Sequence, residues 1–171
     1  LLAEETGARL HLMHNSTAGA VRAIREARVR GAKNITAEVS VQHFSLTDEE
    51  CMGYNTNAKM YPPLRSREHV NAVIEGIKDG TIDALTTDHA PHIEPEKLKP
   101  FQDAALGSVG LETSFAVMYT YIVNPGHIEF SKAIEKMTST PARIIGVNKG
   151  HLSIGADADV DRAFGQERRK D

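Results

Sequence analysis

The chain has 171 residues, 40% hydrophobic and 25% charged, with a formal net charge of −3. That suffices for one domain with an apolar core and offers no positive surplus to recruit nucleic acid or an anionic membrane. A single cysteine, Cys51, cannot close an internal disulfide, which fits a reducing, cytoplasmic setting, and no apolar run approaches the roughly 20 residues of a membrane span.

In chain order, Leu1 to Thr6 reads as the end of a helix, with Gly7 as its stop. No charged-then-apolar leader precedes it, and the expectation is a piece of a longer protein. Arg9 to His14 reads as an apolar strand ending at His14. Asn15-Ser16-Thr17 supplies N-cap chemistry for a helix over 18–30, whose apolar stripe is Val21, Ile24 and Val29 with Ala20 and Ala27. After Gly31 a second strand is expected from Ile35 to Val39, running on through Ser40 to His43, and Thr47 to Glu50 reads as the start of a short helix. The prolines of Lys59 to Arg65 hold that segment extended. Ser66 then caps a helix over 67–78 with Val70, Val73, Ile74 and Ile77 on one side, and Gly80 stops it. A third strand begins at Ile82 and runs to Asp88, followed by a polar loop and a glycine pair at Gly107 and Gly110. Helices are expected over 111–123, 131–137 and 141–145.

Strand–helix repetition of this kind makes a parallel sheet with helical crossovers, an α/β fold. The C-terminal ends of such strands share one side of the sheet, where α/β folds place their sites. The three strands carry His14, then Glu38 and His43, then Asp88, His89 and His92 towards those ends. Three strands cannot close a barrel, which needs about eight, so the sheet is either small and open or the last part of a barrel.

The stretch Ala84 to His92, ALTTDHAPH, is the most informative. A carboxylate and two imidazoles at a strand-to-loop junction suit a metal site with acid–base chemistry. Asp88 suits metal binding through oxygen, or proton transfer from a metal-bound water. A lone strand-end histidine is more often a core residue, but His14 gains standing as a metal ligand from Asp88 at the equivalent place on another strand. His92, beyond that junction, is the candidate substrate contact. Gly107 and Gly110 permit close backbone approach to a ligand. Arg65 could fork onto a carboxylate, but helix-surface charge is the better reading. His11, His69, His127 and His151 belong to no constellation and read as structural or exposed.

In this order the motifs resemble the C-terminal half of bacterial dihydroorotases of the amidohydrolase superfamily, over roughly residues 1–160. They are H-x-S-T at His14 to Thr17, T-A-E-V at Thr36 to Val39, K-M-x-P-P-L-R-S at Lys59 to Ser66, and G-x-x-x-G-x-I-D at Gly76 to Asp83. T-D-H-A-P-H at Thr87 to His92, Glu96-Lys97, G-x-V-G-L-E at Gly107 to Glu112, Pro141-Ala142 and Gly155 to Asp159 complete the set. The resemblance implies the last three strand–helix units of a (β/α)8 TIM-like barrel over 1–147, and at 148–160 the start of a return to a small β domain. It implies one or two Zn2+ per full-length subunit and interconversion of N-carbamoyl-L-aspartate and L-dihydroorotate. His14 is then a zinc ligand, Asp88 a ligand and proton shuttle, His92 a contact for the substrate carboxylate, and the backbone of Gly107 to Gly110 a support for the pyrimidine ring. A homo-oligomer or association with aspartate carbamoyltransferase is also implied as possible.

The sequence departs from the family pattern at several places. Tyr61 stands where dihydroorotases usually have a substrate-contacting Asn, Val41-Gln42-His43 replaces Pro-His-His, and Ala105-Leu106 precedes Gly107 in place of Pro-Phe. Residues 161–171, DRAFGQERRKD, read as a disordered or aberrant tail. Other expected ligands of the family would lie before residue 1. Hydantoinase or allantoinase is the near alternative to dihydroorotase. A non-catalytic scaffold for a transcarbamoylase is the distant one, against which the presence of both His14 and Asp88 argues.

Overall fold

The structure is a computed structural model that describes residues 2–157 and 159–160; the tail expected at 161–171 lies outside them. Helix α1 (Leu2–Thr6) leads into β1 (Leu10–Leu12), α2 (Ala18–Val29), β2 (Ile35–Ser40) and the short α3 (Gln42–Ser45). Two 3-10 turns over Asp48–Tyr54 and Thr56–Ala58 precede α4 (Arg67–Lys78) and β3 (Ala84–Thr86). There follow α5 (Glu94–Lys97), α6 (Ser114–Met118, running on as a π-turn over Tyr119–Val123), α7 (Phe130–Met137) and α8 (Ser139–Ile145).

The three strands form one parallel sheet in the order β1-β2-β3. Leu10, His11 and Leu12 pair with Ile35, Thr36 and Ala37, while Glu38, Val39 and Ser40 pair with Ala84, Leu85 and Thr86. Side chains alternate across a strand, and β2 uses both sides. Ile35, Ala37, Val39 and then Val41 are buried apolar residues, whereas Thr36, Glu38 and Ser40 take hydrogen bonds on the other face. The apolar face joins Val21 and Ile24 of α2, Val73 and Ile77 of α4, Ile82, Leu85, and Met118, Ile122 and Ala133 of the later helices in one core. Each Val, Ile, Leu or Met side chain among them, fully buried, contributes about 1.5–3 kcal/mol. Gly76 lets α4 approach closely, since a Cβ there would lie 2.9 Å from Val21 Cγ1 and 3.2 Å from Ile82 Cγ1.

The sheet is shorter than the sequence suggests. The expected strand over Arg9 to His14 pairs only from Leu10 to Leu12, and Val41 to His43 leave the strand direction altogether. The ladder ends where the Val41 amide donates to Thr86 O. Val41 then adopts helical backbone angles, and Ser45 Oγ and the Leu46 amide bond back to Val41 O and Gln42 O. This turn carries Phe44 into the core, which a continued strand would not do. The helix expected from Leu111 starts at Ser114, because the preceding segment is engaged elsewhere, as described below. Ser66 occupies the N-cap position of α4 without a side-chain cap bond, whereas Thr17 Oγ1 accepts from the Ala20 amide as expected. α8 begins at Ser139, and Pro141 sits in its first turn, where a missing N–H costs nothing. Met60 and Leu64 of the proline-rich segment pack with Ala58 in a second small apolar cluster. Among the described residues no helix is long and apolar enough to cross a membrane.

Candidate active site at the ends of the strands

His14 lies two residues beyond β1 and Asp88 two residues beyond β3, and both have left-handed backbones, with φ of 52° and 47°. Such angles are uncommon for non-glycine residues and cost on the order of 1 kcal/mol or more, and they concentrate at functional sites. The two side chains meet over the end of the sheet, with His14 Nε2 3.6 Å from Asp88 Oδ1. The turn carrying His14 is tied to β2 through Asn15, whose side-chain amide donates to Leu12 O at 2.7 Å and to Glu38 O at 2.8 Å.

Behind this pair lies a polar network that sequence reasoning did not assemble. His14 Nδ1 is 3.1 Å from Glu38 Oε1 and 3.0 Å from Ser40 Oγ. Glu38 Oε1 also accepts from Thr86 Oγ1 at 3.3 Å, and Glu38 Oε2 lies 3.1 Å from His11 Nε2. His11 Nδ1 is 2.7 Å from Thr36 Oγ1. His11, read from sequence as outside any constellation, therefore belongs to one, and Glu38 sits within β2 rather than at its tip. The far oxygen of the aspartate, Oδ2, accepts from Gln42 Nε2 at 2.9 Å. The signal for these residues was the alternation Thr36, Glu38, Ser40, Gln42, a carboxylate among polar groups on one strand face.

Gln42 and His43 are both buried, and Gln42 Oε1 and His43 Nδ1 have no hydrogen-bond partner among the described residues. His43 Nε2 lies 2.9 Å from Pro62 O, a pure acceptor, so Nε2 carries the ring proton and Nδ1 is a bare lone pair. Burial pushes the His43 imidazole below its ordinary pKa, against the opposing pull of the Pro62 carbonyl and the Asp88 charge. His69 is a helix partner rather than a site residue, since its Nδ1 accepts from the Ala18 amide at 3.1 Å. Arg65 is half-buried, with Nε 3.5 Å from Ser16 Oγ, so it is not simple helix-surface charge.

The other predicted residues lie in the loop that follows Asp88. His89 pairs with Ser108, and His89 Nδ1 accepts from the amides of Gly110 and Leu111 at 3.0 and 3.2 Å. The Gly107 amide donates to Lys59 O at 3.0 Å. Lys97 Nζ donates to Lys59 O, Ala105 O and Gly107 O at 3.3, 3.0 and 2.9 Å, and burial together with the Lys59 charge lowers its pKa. His92 is exposed, its Nε2 2.8 Å from Leu106 O. Tyr61 is 76% exposed, two residues from Lys59. The glycines serve the chain itself: a Cβ on Gly107 would lie 2.6 Å from Ala90 O, and one on Gly110 2.6 Å from Thr87 O. The Gly107 amide bonds Lys59 O and the Gly110 amide bonds His89 Nδ1.

The donor chemistry suits zinc as far as it goes. Two ligand atoms about 2.1 Å from a tetrahedral ion lie about 3.4 Å apart, close to the 3.6 Å between His14 Nε2 and Asp88 Oδ1. A zinc site takes three or four protein ligands, and the described residues contain no group of three His, Cys, Asp or Glu able to hold a metal. The pair therefore fits as part of a ligand set.

The family model for amidohydrolases matches residues 3–160. The chain belongs to the amidohydrolase family. Curated amidohydrolase relatives named dihydroorotase, from Pelotomaculum thermopropionicum and Syntrophus aciditrophicus, are 54% and 51% identical over 160 residues. Those matches take in 94% of this chain and 37% of each relative, so the chain spans little more than a third of their length. Among solved structures, the L-hydantoinase of Arthrobacter aurescens is 32% identical with a TM-score of 0.83, over 92% of this chain and 36% of that one. A D-hydantoinase from Thermus sp. is 26% identical with a TM-score of 0.84, over 91% of this chain and 36% of that one. The amidohydrolase fold thus covers this chain, and its parallel strand–helix units are consistent with part of an α/β barrel.

Proposed function

We propose that this chain carries part of the active site of a zinc-dependent cyclic amidohydrolase, most closely a dihydroorotase interconverting N-carbamoyl-L-aspartate and L-dihydroorotate in pyrimidine synthesis. The observation that carries this reading is the pairing of His14 and Asp88, from matching positions on two strands, at 3.6 Å. The names of the relatives at 54% and 51% identity support the substrate. Residues 1–147 are the proposed barrel segment and 148–160 the start of the return to a small β domain. The remaining ligands come from sequence outside these 171 residues, so the isolated chain is inactive.

His14 through Nε2 and Asp88 through Oδ1 would hold the zinc, one or two ions per complete subunit. When bound, the metal supplies Lewis acidity at the amide carbonyl and lowers the pKa of water towards about 7. Asp88 passes a proton between the attacking water and the leaving amide nitrogen, and Gln42 holds its second oxygen in place. His92, exposed at the loop, receives the substrate carboxylate, and Tyr61 is a further substrate contact. The backbone of Gly107 to Gly110 supports the pyrimidine ring. The lone thiol of Cys51 fits a cytoplasmic enzyme. A homo-oligomer or association with aspartate carbamoyltransferase belongs to the same proposal.

Tyr61, where dihydroorotases usually have Asn, favours a second reading as a hydantoinase or allantoinase. A chimera tests both: the N-terminal portion of the Pelotomaculum thermopropionicum relative joined to this chain, assayed on dihydroorotate, hydantoin and allantoin. Turnover of dihydroorotate, lost in Asp88→Asn, is the expected result. Turnover of hydantoin or allantoin alone transfers the assignment to the second reading. Hydrolysis of dihydroorotate by the 171-residue chain by itself would refute the shared-site proposal.

A further inference from the structure

The groups around Glu38 determine which nitrogen of His14 is available. Glu38 is 7% exposed and lies within β2, on the face opposite the apolar core. A buried carboxylate is tolerated only when paired and hydrogen-bonded, and this one has partners on both oxygens. Oε1 meets His14 Nδ1 at 3.1 Å and Thr86 Oγ1 at 3.3 Å, and Oε2 meets His11 Nε2 at 3.1 Å. An ionised carboxylate has no proton to give, so Thr86 Oγ1 and His11 Nε2 donate to it, while His14 Nδ1, hydrogen-bonded to Ser40 Oγ at 3.0 Å, meets Oε1 as a charge contact that favours a proton on Nδ1. His11 then carries its proton on Nε2 and accepts from Thr36 Oγ1 at Nδ1.

For His14 the consequence reaches the site. A proton on Nδ1 leaves Nε2 as a lone pair, facing an Asp88 oxygen 3.6 Å away. Two acceptors in that relation repel unless a cation lies between them. The competing tautomer would have Ser40 donate to His14 Nδ1 and the Nε2–H point at Asp88. It sets the Nδ1 lone pair 3.1 Å from Glu38 Oε1, and the Nε2 to Oδ1 separation of 3.6 Å is too long for the hydrogen bond it needs.

We propose that Glu38 is a positioning residue that holds His14 as its Nδ1–H tautomer and thereby presents Nε2 to a divalent cation shared with Asp88. The inference rests on the metal reading above, but the tautomer can be read without metal. In that role Glu38 turns the ring and raises its basicity, as carboxylates behind metal-bound histidines do.

The test uses the 171-residue chain labelled with 15N, with long-range imidazole correlation spectra recorded free of metal at about pH 8.5, above the ordinary histidine pKa. Wild type is expected to show His14 protonated at Nδ1. Glu38→Gln, whose amide can donate to Nδ1, is expected to shift most of the population to the Nε2–H form, and Ser40→Ala to leave it unchanged. Zinc titration of the chimera that supplies the N-terminal portion should perturb the His14 Nε2 resonance, with affinity lower by roughly 10–100-fold when it carries Glu38→Gln. Nε2–H in wild type, or Nδ1–H retained in a folded Glu38→Gln chain, overturns the role of Glu38. The wild-type spectrum alone decides if the variant does not fold. In that chimera, zinc that leaves the Nε2 resonance unmoved, with the Nδ1–H tautomer present, sinks the metal reading while sustaining the assignment of Glu38.

Discussion

The sheet with its helices and the loop from Thr87 to Thr113 are held by different forces. In the first, Val39, Val73, Ile77 and Ile82 are buried in one continuous apolar core. In the second, Ile93, Leu98, Leu106 and Val109 are exposed, and the chain is fixed by polar groups: Lys97 on three carbonyls and His89 beneath two amides. Apolar burial is non-directional and tolerates small shifts, whereas hydrogen bonds to backbone atoms set position closely. The body is thereby suited to stability, and the loop to fixing the backbone that bears His92.

The comparison breaks most sharply in the core. Ile77→Ala, at a side chain 0% exposed, is expected to cost about 2–5 kcal/mol, measured as a lower urea midpoint, because the cavity sits among α2, α4 and β3. A loss below 1 kcal/mol would show that the core does not carry the fold. Gly110→Ala should cost about 1–3 kcal/mol, since the new Cβ meets Thr87 O at 2.6 Å and backbone must move. Its signature is faster hydrogen exchange confined to residues 87–92 and 107–113, and uniform acceleration across β2 would contradict the separation. Lys97→Met removes an ammonium from three carbonyls and should cost about 1–2 kcal/mol, read as accelerated exchange of the Gly107 amide with little change in the global midpoint.

The smallest effect is a pH dependence centred on His43. Its folded pKa is lowered by burial, so the unfolded chain binds the proton first as pH falls. Between the unfolded value of about 6.5 and the lower folded value, stability should fall with pH by at most about 1.4 kcal/mol per unit, and above pH 7 it should be flat. Denaturation of wild type and His43→Asn from pH 8 to 5 checks this; equal slopes would assign the dependence to other groups.

The helices were legible because their signals are local. Thr17 caps α2, Val70, Val73 and Ile77 recur at helical spacing in α4, and both helices end close to their predicted limits. His14 and Asp88 could be singled out because each follows an apolar strand, and the chain places both at the strand ends. The turn at Val41 was not legible, since a β-branched residue after a strand reads as more strand, and only the end of the β3 ladder stops it. That Gly107 and Gly110 lie against Ala90 and Thr87 was not legible, because sequence does not show which backbone packs beside them.

The amino-acid sequence by itself determined the parallel α/β order, the apolar faces and the residue types at the strand ends, because caps and periodicity act over a few neighbouring residues. Only the tertiary structure decided that Glu38 stands between His11 and His14, and that Gln42 holds Asp88. Those contacts join residues as many as 46 positions apart and depend on strand register, which brings Glu38 opposite Ala84 and Ser40 opposite Thr86. A shift of one residue would turn the same carboxylate into the apolar core.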